Sequence, residues 1–446
     1  MTRVFIANRG EIALRAVRAC RRLGLETVAA YSTADANSPH VWSADRAICV
    51  GPPPPRDSYL NIPGLVEAAK ASGCDAVYPG YGFLSEKSEF ATACAKEGLA
   101  FVGPRAETIA LMGDKVAARR TAMQHGIPVV PGSEVGFTDA AAAEHAAGAI
   151  GYPLLLKAAG GGGGRGMRIV DSAEEFASRF AQASAEAGAA FNNPEIYLER
   201  FFRRVRHVEI QVIGDRHGNA IHLWERDCSV QRRHQKLVEE APSPMLSTAT
   251  RHAMAEAALA LVRAIAYENA GTIEFIVDLD GGGFYFIEMN TRIQVEHPVT
   301  EALTGTDLVA EQLRIAGGET LSIAPPPEPR GCAIEFRINA EDSTRDFFPS
   351  PGTVREWAPP TGPGIRLDSH VYPGYAVSPF YDSLLGKLIV AGPDRDTALA
   401  RARRALASFG VAGVATTIPF HRRLIDEADF LSGTLHTRWI EQEFRA

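Results

Sequence analysis

The sequence predicts an α/β protein in which an N-terminal, doubly wound parallel sheet is followed by a central α+β section and a mixed C-terminal region. Over the first hundred residues, short apolar strands alternate with helices, the pattern of a parallel sheet with helices on both faces. In the centre, two apolar strands flank a glycine run at 160–164. After the prolines at 325–327, a segment with many Gly-Pro turns leads to two closing helices.

The elements of the first section follow one another at short intervals. The first helix is expected at Glu11–Leu23, and a long helix at Ala106–His125 leads into the central section. The residues Ala7–Glu11 lack the G-x-G-x-x-G spacing, so a dinucleotide site of that kind is not predicted. Short strands are expected at Val4–Asn8, Thr27–Tyr31, Ala47–Val50, Ala76–Tyr78 and Ala100–Val102.

The later elements are fewer and more widely spaced. We expect strands at Leu154–Ala159 and Arg165–Val170, a mixed region that begins at Ala333–Ala340, and helices near Asp307–Ala316, Asp396–Phe409 and Pro419–Glu427. These boundaries predict three domains at 1–112, 113–325 and 326–446, with a mobile lid within the second at about 130–200.

The glycine run is the first feature that indicates a ligand. A P-loop would need G-K-[ST] followed by a helix, and the residues after Gly164 do not match that pattern. A short flap between two strands, whose backbone amides close over phosphates, fits the spacing. The alternative is a flexible linker, which is usually longer and less sharply bounded by apolar strands.

A second feature is the alternation of polar residues between Phe286 and Pro298. The polar positions are Glu288, Asn290, Arg292, Gln294 and Glu296, which a strand would direct to one face. An ordinary half-buried strand has the same alternation, but two carboxylates, two amides and a guanidinium suit a cation beside an anion. Fully extended, Glu288 to Glu296 would span roughly 26 Å. We therefore expect the strand to end near Asn290.

The preceding strand supplies a further carboxylate. If the hairpin turn is centred on Gly281, Glu274 faces Glu288, and two opposed carboxylates repel each other. A bound cation explains such a pair, whereas two solvated glutamates would be the simpler alternative. Carboxylates and an amide oxygen, with Asn290 included, suit Mg²⁺ or Mn²⁺.

Composition limits the remaining classes of function. The chain has 446 residues and a net charge of −7, which argues against broad nucleic-acid binding. No apolar run has the length of a membrane span, and the start lacks the apolar stretch of a signal peptide. Six cysteines without C-x-x-C pairing fit reduced thiols, so we expect a cytoplasmic protein without a membrane or nucleic-acid partner.

Several stretches together resemble biotin carboxylase, the ATP-grasp enzyme of acetyl-CoA, propionyl-CoA and pyruvate carboxylases. The resemblance covers about residues 3–440. The stretches that carry it are P-G-Y-G-F-L-S-E at Pro79–Glu86, M-G-D-K at Met112–Lys115, the Lys157 strand with its glycines, H-V-E-I-Q-V at His207–Val212, E-R-D-C-S-V-Q-R-R-H-Q-K at Glu225–Lys236, E-M-N-T-R-I-Q-V-E-H-P at Glu288–Pro298 and E-F-R-I-N-A-E at Glu335–Glu341.

The resemblance implies an ATP-grasp fold and a two-step reaction. MgATP and bicarbonate would give carboxyphosphate, and CO₂ would then pass to N1 of biotin. It implies two Mg²⁺ or Mn²⁺ ions on Glu274, Glu288 and Asn290. The residues that it places around ATP are Lys115, Lys157, Gly162, Gly163, Gly164, Glu199, His207, Gln231, His234, Glu274 and Glu288.

The remaining matched residues concern bicarbonate and biotin. By resemblance, Lys236 lies near the γ-phosphate, while Arg292, Gln294 and the Val295 backbone bind bicarbonate. Glu296 is the expected general base, which a neighbouring cation would keep ionised. The residues expected on the biotin side are Arg337, which would stabilise the biotin enolate oxygen, Tyr81 and Gly82 in the loop beside it, and Asp382, which would orient Arg337.

The sequence departs from the family pattern in the nucleotide region. In the family, the hinge that binds adenine commonly has Glu-Lys, whereas this chain has Glu199-Arg200. Before the glycines, Ala159 stands where the family often has a serine. Lysine and arginine are not equivalent beside a ring nitrogen, so nucleotide affinity is expected to differ.

The expected partners follow from a missing motif. No A-M-K-M-like biotinylation sequence occurs, so biotin would be carried by another polypeptide, or the chain is one excised domain. The resemblance implies a biotin carboxyl carrier protein, carboxyltransferase subunits and a homodimer. The expected acceptor is acetyl-CoA, with propionyl-CoA, pyruvate and others left open.

Two other functions stay open from the sequence. One is another ATP-grasp ligase, such as a carbamoyl-phosphate synthetase half or a purine-pathway carboxylase. The other is a nucleotide-binding paralogue without turnover. The stretches around Tyr81 and Arg337 argue against the first, and the presence of Lys236, Arg292, Glu296 and Arg337 argues against the second.

Overall fold

The N-terminal section is a parallel five-stranded sheet. The computed structural model describes residues 1–158, 167–191, 193–325 and 328–444. The sheet order is β3-β2-β1-β4-β5 and every neighbouring pair is parallel, which confirms the predicted doubly wound arrangement. Its strands are β1 (Arg3–Ile6), β2 (Glu26–Ser32), β3 (Arg46–Gly51), β4 (Ala76–Tyr78) and β5 (Ala100–Phe101).

The helices of this section connect the strands as the alternation predicts. They are α1 (Gly10–Arg22), α2 (Pro39–Ser43), α3 (Ile62–Ala71), α4 (Ser88–Lys96), α5 (Ala106–Gly113) and α6 (Lys115–Gln124). The prediction of a single helix at Ala106–His125 is wrong, because the helix is interrupted at Asp114, between α5 and α6. The Asp114 carboxylate caps α6 by accepting 2.9 Å hydrogen bonds from the amides of Val116 and Ala117.

The strand order of this sheet reverses between β1 and β4. In doubly wound sheets, ligands bind outside the carboxyl ends of the strands at such a point. Here the residues after β1 and β4 line a cavity of about 330 Å³ whose walls include Glu11, Tyr81 and Asp382. The sequence-predicted biotin-side residue Tyr81 therefore lies at the switch point of the sheet.

The chain divides into two compact units, which are described separately. One contains Met1–Ile127, Arg206–Ile276 and Glu288–Ala446, and the other contains Pro128–Val205 and Val277–Ile287. The three-domain division expected from the sequence remains a prediction.

The second unit is built around a small antiparallel sheet. Its strand order is β7-β6-β8, and Leu154, Leu156, Phe176, Phe180 and Leu198 form part of its core. Its elements are α7 (Ala140–Ile150), β6 (Leu154–Ala158), β7 (Met167–Val170), α8 (Ala173–Phe191) and β8 (Ile196–Arg200). Ala159 and the predicted nucleotide-binding Gly162, Gly163 and Gly164 lie outside the described residues, as do prolines 326 and 327.

The central and C-terminal parts supply the longest strands. The central elements are β9 (Val205–Gly214), β10 (Ala220–Arg232), β11 (Gln235–Ala241), α9 (Thr248–Ala264), β12 (Asn269–Asp278), β13 (Phe284–Asn290), α10 (His297–Thr304) and α11 (Leu308–Ala316). The C-terminal elements are β14 (Cys332–Asn339), β15 (Glu341–Asp342), β16 (Phe348–Pro349), β17 (Gly352–Thr353), β18 (Glu356–Ala358), β19 (Ile365–Ser369), β20 (Ala376–Val377), β21 (Leu384–Gly392), α12 (Arg395–Ser408), β22 (Gly410–Ala412), α13 (Ile418–Leu424), α14 (Ala428–Ser432) and α15 (Trp439–Gln442).

Eight of these strands form one sheet, in the order β13-β12-β9-β10-β11-β14-β21-β19. The prediction that the polar strand ends near Asn290 is confirmed, since β13 stops there and α10 begins at His297. Pro298 lies in the first turn of α10, where its missing amide hydrogen costs nothing. The α/β fold class is thereby confirmed. Among the described helices, none combines the length and apolar character needed to cross a membrane.

Candidate active site

The centre of the candidate site is the ammonium group of Lys236 on β11. Its Nζ donates at 2.6 Å to Glu209 Oε2 and to Glu296 Oε1, and at 3.0 Å to Glu274 Oε1. The Gln294 side-chain oxygen lies 3.3 Å from the same nitrogen. One cation therefore holds together side chains from β9, β12 and the loop after β13, which are far apart in the sequence.

Glu296 is enclosed by two cations. Besides the Lys236 contact, its Oε2 accepts a 2.9 Å hydrogen bond from Arg337 Nη2. Burial by itself disfavours the charged carboxylate, but the charges of Lys236, Arg337 and Arg226 outweigh burial and hold the pKa of Glu296 well below its ordinary value. An ionised carboxylate is the form that a general base needs.

Arg337 is itself positioned by a second carboxylate. Its Nε donates at 2.6 Å to Glu239 Oε1, and both carboxylates that contact it are buried. Asp382, which we expected to orient Arg337, instead lies 3.9 Å from Arg9 Nη1 and is mostly exposed. Glu239 and Glu296, rather than Asp382, therefore orient Arg337.

Behind Lys236 lies a buried layer that the sequence reasoning missed. Arg226 donates from Nε to Glu209 Oε1 at 2.6 Å, and from Nη1 to Gln211 Oε1 at 2.7 Å and Thr300 Oγ1 at 3.0 Å. These contacts fix Glu209 so that its other oxygen meets Lys236. The signal that could have found Glu209 and Gln211 is their alternation with His207 in H-V-E-I-Q-V, which is a polar face on an otherwise apolar strand.

The loop after β13 carries the predicted bicarbonate residues. Arg292 donates at 2.9 Å to Glu86 Oε2 and at 2.8 Å to Asn290 Oδ1. Gln294 Nε2 donates at 3.0 Å to Glu274 Oε1, and the Val295 carbonyl accepts a 2.9 Å bond from Lys387 Nζ. Glu86, at the end of P-G-Y-G-F-L-S-E, is thus a partner of Arg292 to which the sequence assigned no role.

The predicted metal ligands have a suitable chemistry. Glu274 is buried, and although burial opposes its charge, Lys236 and His207 keep its pKa well below the ordinary value. Glu288 is partly exposed, and its Oε2 lies 3.4 Å from Lys115 Nζ. Ionised carboxylate oxygens are the donors that Mg²⁺ and Mn²⁺ prefer, so Glu274 and Glu288 fit such an ion. In this geometry the Asn290 side-chain oxygen accepts from Arg292, and its ligand role remains a prediction.

Two of the predicted nucleotide residues of the larger unit, His207 and Gln231, form a chain of contacts to Glu274. His207 Nε2 lies 3.1 Å from Glu274 Oε2, and Gln231 Nε2 lies 3.0 Å from His207 Nδ1. His234 is exposed in the tight turn between β10 and β11, where it and Arg233 both have positive φ. The turn therefore presents the His234 imidazole to solvent beside the strand that carries Lys236.

In the smaller unit, the predicted nucleotide residues meet in the sheet of β6 and β8. Lys157 Nζ contacts the Glu199 carboxylate, and Leu155 pairs with Glu199 in the antiparallel register. Lys157 therefore has a carboxylate partner on the adjacent strand, and both side chains are partly exposed.

Tyr81, which the sequence predicts on the biotin side, belongs to a chain of contacts that reaches the Val295 loop. The Tyr81 hydroxyl contacts Glu11 Oε1, and the same oxygen lies 2.8 Å from the fully buried Lys387 Nζ. Gly82 follows with a φ of 72°, a conformation that favours glycine. Lys387 and Glu11 were also missed, because a lysine inside a strand is ordinarily solvent-exposed.

Family models match nearly the whole chain. Residues 1–109 match the N-terminal domain of biotin carboxylase, and 335–442 match its C-terminal domain. Residues 114–324 match the ATP-binding domain of the carbamoyl-phosphate synthase L chain.

Individual proteins agree with these matches. The chain is 52% identical to "Biotin carboxylase" of Nostoc sp., covering 99% of this chain and 98% of that protein. It is 47% identical to one of the pyruvate carboxylase subunits of Methanothermobacter thermautotrophicus, covering 99% and 90%. The biotin carboxylase domain dimer of Hydrogenobacter thermophilus 2-oxoglutarate carboxylase, solved with MgADP, ADP and bicarbonate, has a TM-score of 0.89 at 45% identity and covers 100% and 99%.

Proposed function

The chain belongs to the biotin carboxylase family, and on that premise we propose that it carboxylates N1 of biotin carried on a separate protein. It is an ATP-dependent ligase that uses ATP and Mg²⁺. The observation that carries the proposal is the Glu296 carboxylate, held at 2.6 Å by Lys236 and at 2.9 Å by Arg337. That arrangement supplies an ionised base next to two cations of different function.

In the first step, a bicarbonate oxygen forms a bond to the γ-phosphorus of ATP and the bond to ADP breaks. Glu296 takes the bicarbonate proton, since its low pKa leaves it ionised and a neighbouring cation stabilises the attacking anion. Arg292, Gln294 and the Val295 backbone hold the bicarbonate. Phosphoryl transfer depends mostly on positioning and charge neutralisation.

Charge on the phosphates is neutralised from several directions. Lys115 and Lys157 contact the phosphates in the proposed complex, and Lys236 approaches the γ-phosphate. Glu274 and Glu288 would hold a divalent ion, which would supply further positive charge to stabilise the transferring phosphoryl group. Arg226 keeps Glu209 in place, so that Lys236 stays directed at the reacting atoms.

In the second step, carboxyphosphate separates into CO₂ and phosphate. The phosphate takes the proton from N1 of biotin, and N1 forms the new bond to CO₂. Arg337 stabilises the negative charge that develops on the ureido oxygen, in the manner of an oxyanion hole. Tyr81 lies on the biotin side of this centre.

We further assign the chain to the first half-reaction of an acetyl-CoA carboxylase. The relative with 52% identity is named biotin carboxylase, and its name is compatible with this acceptor without specifying one. The pyruvate carboxylase relative with 47% identity keeps pyruvate as a second candidate. In either case a carrier protein brings biotin and a carboxyltransferase removes the carboxyl group. A homodimer is proposed by analogy with the dimeric 2-oxoglutarate carboxylase domain.

The activity is tested by phosphate release from ATP with bicarbonate and high concentrations of free biotin. We expect biotin to increase release, and removal of bicarbonate to abolish the increase. Phosphate release that ignores biotin would instead support another ATP-grasp ligase, such as one that also uses the matched ATP-binding domain. Nucleotide binding without any release would identify a non-catalytic paralogue.

The acceptor is tested separately by co-purification of biotinylated protein from native lysate. The captured carrier and its transferase are then supplied with labelled bicarbonate and one acceptor at a time. Label in malonyl-CoA supports the acetyl-CoA assignment, whereas label in oxaloacetate or methylmalonyl-CoA overturns it.

A further inference from the structure

Glu239 and Glu335 are directly opposed across two strands of the large sheet. In the antiparallel register of β11 and β14, Glu239 pairs with Glu335, so both side chains project from the same face. Both residues are fully buried. Directly opposed like charges destabilise a sheet, and burial makes the repulsion stronger because water cannot screen it.

The hydrogen bonds of this pair are incomplete. Within the part of the chain that the structure describes, Glu239 Oε2 and both oxygens of Glu335 lack a partner. Glu239 Oε1, in contrast, accepts the 2.6 Å hydrogen bond from Arg337 Nε. A buried carboxylate oxygen without a donor is costly, so a donor for these oxygens is expected within the pair itself.

The charged groups around Glu335 come from three neighbouring elements and from its own strand. Arg337 follows on β14, Lys387 lies opposite Arg337 on β21, Glu239 lies on β11, and Glu296 precedes α10. Lys387 is already held by Glu11 at 2.8 Å and by the Val295 carbonyl at 2.9 Å. The nearby cations are therefore engaged by other groups.

We propose that Glu335 holds a proton at neutral pH and donates it in a hydrogen bond to Glu239 Oε2, and that it is thereby a positioning residue for Arg337. Protonated Glu335 brings a donor to the unpartnered oxygens and removes the repulsion between the two carboxylates. Glu239 then remains a fixed carboxylate acceptor for Arg337. With both glutamates ionised, three carboxylates would surround that guanidinium and weaken its attraction for a developing oxyanion.

The pKa directions agree with this assignment. Burial raises the pKa of Glu335 well above its ordinary value, and the neighbouring Glu239 adds to the rise. Burial also raises the pKa of Glu239, to about 7, against the opposing charge of Arg337. The role of Glu335 rests on the proposed function, because Arg337 acts on biotin only in that function.

The protonation state is tested by infrared spectroscopy of the whole protein at neutral pH. Wild type is expected to have the carbonyl absorption of a buried, protonated carboxylic acid, and Glu335→Gln to lack it. The control is Glu240→Gln, which removes a buried carboxylate on the opposite face that is bonded to Arg395. A band that persists in Glu335→Gln, or that disappears in Glu240→Gln instead, overturns the assignment.

The positioning role is tested by biotin-dependent turnover of two variants. Glu335→Gln retains a donor and is expected to keep kcat within about twofold of wild type, while Glu335→Leu loses the donor and is expected to lower kcat about tenfold. The KM for MgATP is expected to stay unchanged in both. Equal kcat values for the two variants would contradict the role, whether both values stay near that of wild type or both fall.

Failure of the proposed function and failure of the inference about Glu335 give different results. If wild type has no biotin-dependent turnover, the proposed function is wrong, while the infrared band still decides the protonation state. If Glu335→Leu does not fold, the wild-type band and its persistence as the pH is raised past the ordinary range of a carboxylic acid decide the question. Loss of the wild-type band at neutral pH overturns the inference.

Discussion

Two buried clusters of charged side chains, one in the N-terminal section and one in the large sheet, differ in how their cations are shared among carboxylates. In the cluster of the N-terminal section, Arg9 binds both oxygens of Asp35, with distances of 2.8 to 3.1 Å, and Tyr59 donates to Asp35 at 2.7 Å. In the cluster of the large sheet, Lys236 is shared by Glu209, Glu274 and Glu296, while Arg226 also binds Glu209 and Arg337 also binds Glu296.

In the proposed function, this difference corresponds to a structural role for the first cluster and a catalytic role for the second. A bidentate pair with a third donor satisfies the carboxylate and leaves it little capacity for a ligand. Lys236 divides its donors among Glu209, Glu274 and Glu296, and in the proposed function Glu274 uses its remaining lone pairs for a metal ion while Glu296 takes a substrate proton. The carboxylates of both clusters are buried, so burial of a carboxylate alone does not identify the site.

The largest expected effect is the loss of catalysis in the variant Glu296→Ala. Biotin carboxylation is expected to fall by about 10²–10⁴-fold, because a positioned general base contributes that much. MgATP binding, measured by calorimetry, is expected to stay nearly intact. The control Glu240→Gln is expected to keep its turnover, and a comparable loss of ATP binding in Glu296→Ala would refute the base assignment.

The next largest effect is the loss of stability expected for the variant Arg9→Met. Removing one member of a buried pair leaves the Asp35 carboxylate without its cation, which is expected to lower the free energy of unfolding by about 3–5 kcal/mol. The variant that also carries Asp35→Leu is expected to regain part of the loss. Urea denaturation measures both, and the KM for MgATP is expected not to change. A changed KM at unaltered stability would place Arg9 in the functional cluster.

The third effect is the pH dependence of stability. Glu239 and Glu335 titrate as one group that shares a proton: burial raises the pKa of Glu335 well above its ordinary value and the pKa of Glu239 from 4.5 to about 7, so the folded protein binds the shared proton more tightly than the unfolded chain. Stability from this pair is complete below about pH 4.5 and is lost as the pH rises through about 7. Glu239→Gln is expected to flatten this decline in urea midpoints. Arg9 lowers the pKa of Asp35 against the opposing effect of burial, so the stability that Asp35 contributes is lost only as the pH falls into the acid range.

The smallest effect concerns an exposed pair. Asp346 contacts Arg232 and lies 2.9 Å from Arg233, at the turn that carries His234. Asp346→Asn is expected to raise the KM for MgATP by about twofold or less, because exposed ion pairs contribute little. The control is Glu97→Gln, which breaks an exposed pair with Lys70 on α3 of the N-terminal section. Equal KM changes in both variants would remove the turn from the nucleotide site.

The sequence predicted the fold class because its signals are local. Alternating strands and helices in the first hundred residues indicated the parallel sheet, and the excess length of the polar pattern indicated that β13 ends near Asn290. The helix break at Asp114 was missed, since a helix-compatible pattern on both sides conceals a side-chain cap. The roles assigned to Glu274, Arg292 and Glu296 remain predictions that the geometry supports.

The sequence by itself determined the family, the strand periodicities and the types of residue that face the site. Only the tertiary structure decided which charges meet, because Lys236, Glu209, Glu274 and Glu296 come from separate elements that the sheet order brings together. The same holds for Glu239 and Glu335, whose opposition depends on the register of two strands distant in the sequence. Electrostatic interactions act over a few ångströms in space, and sequence separation does not measure that distance.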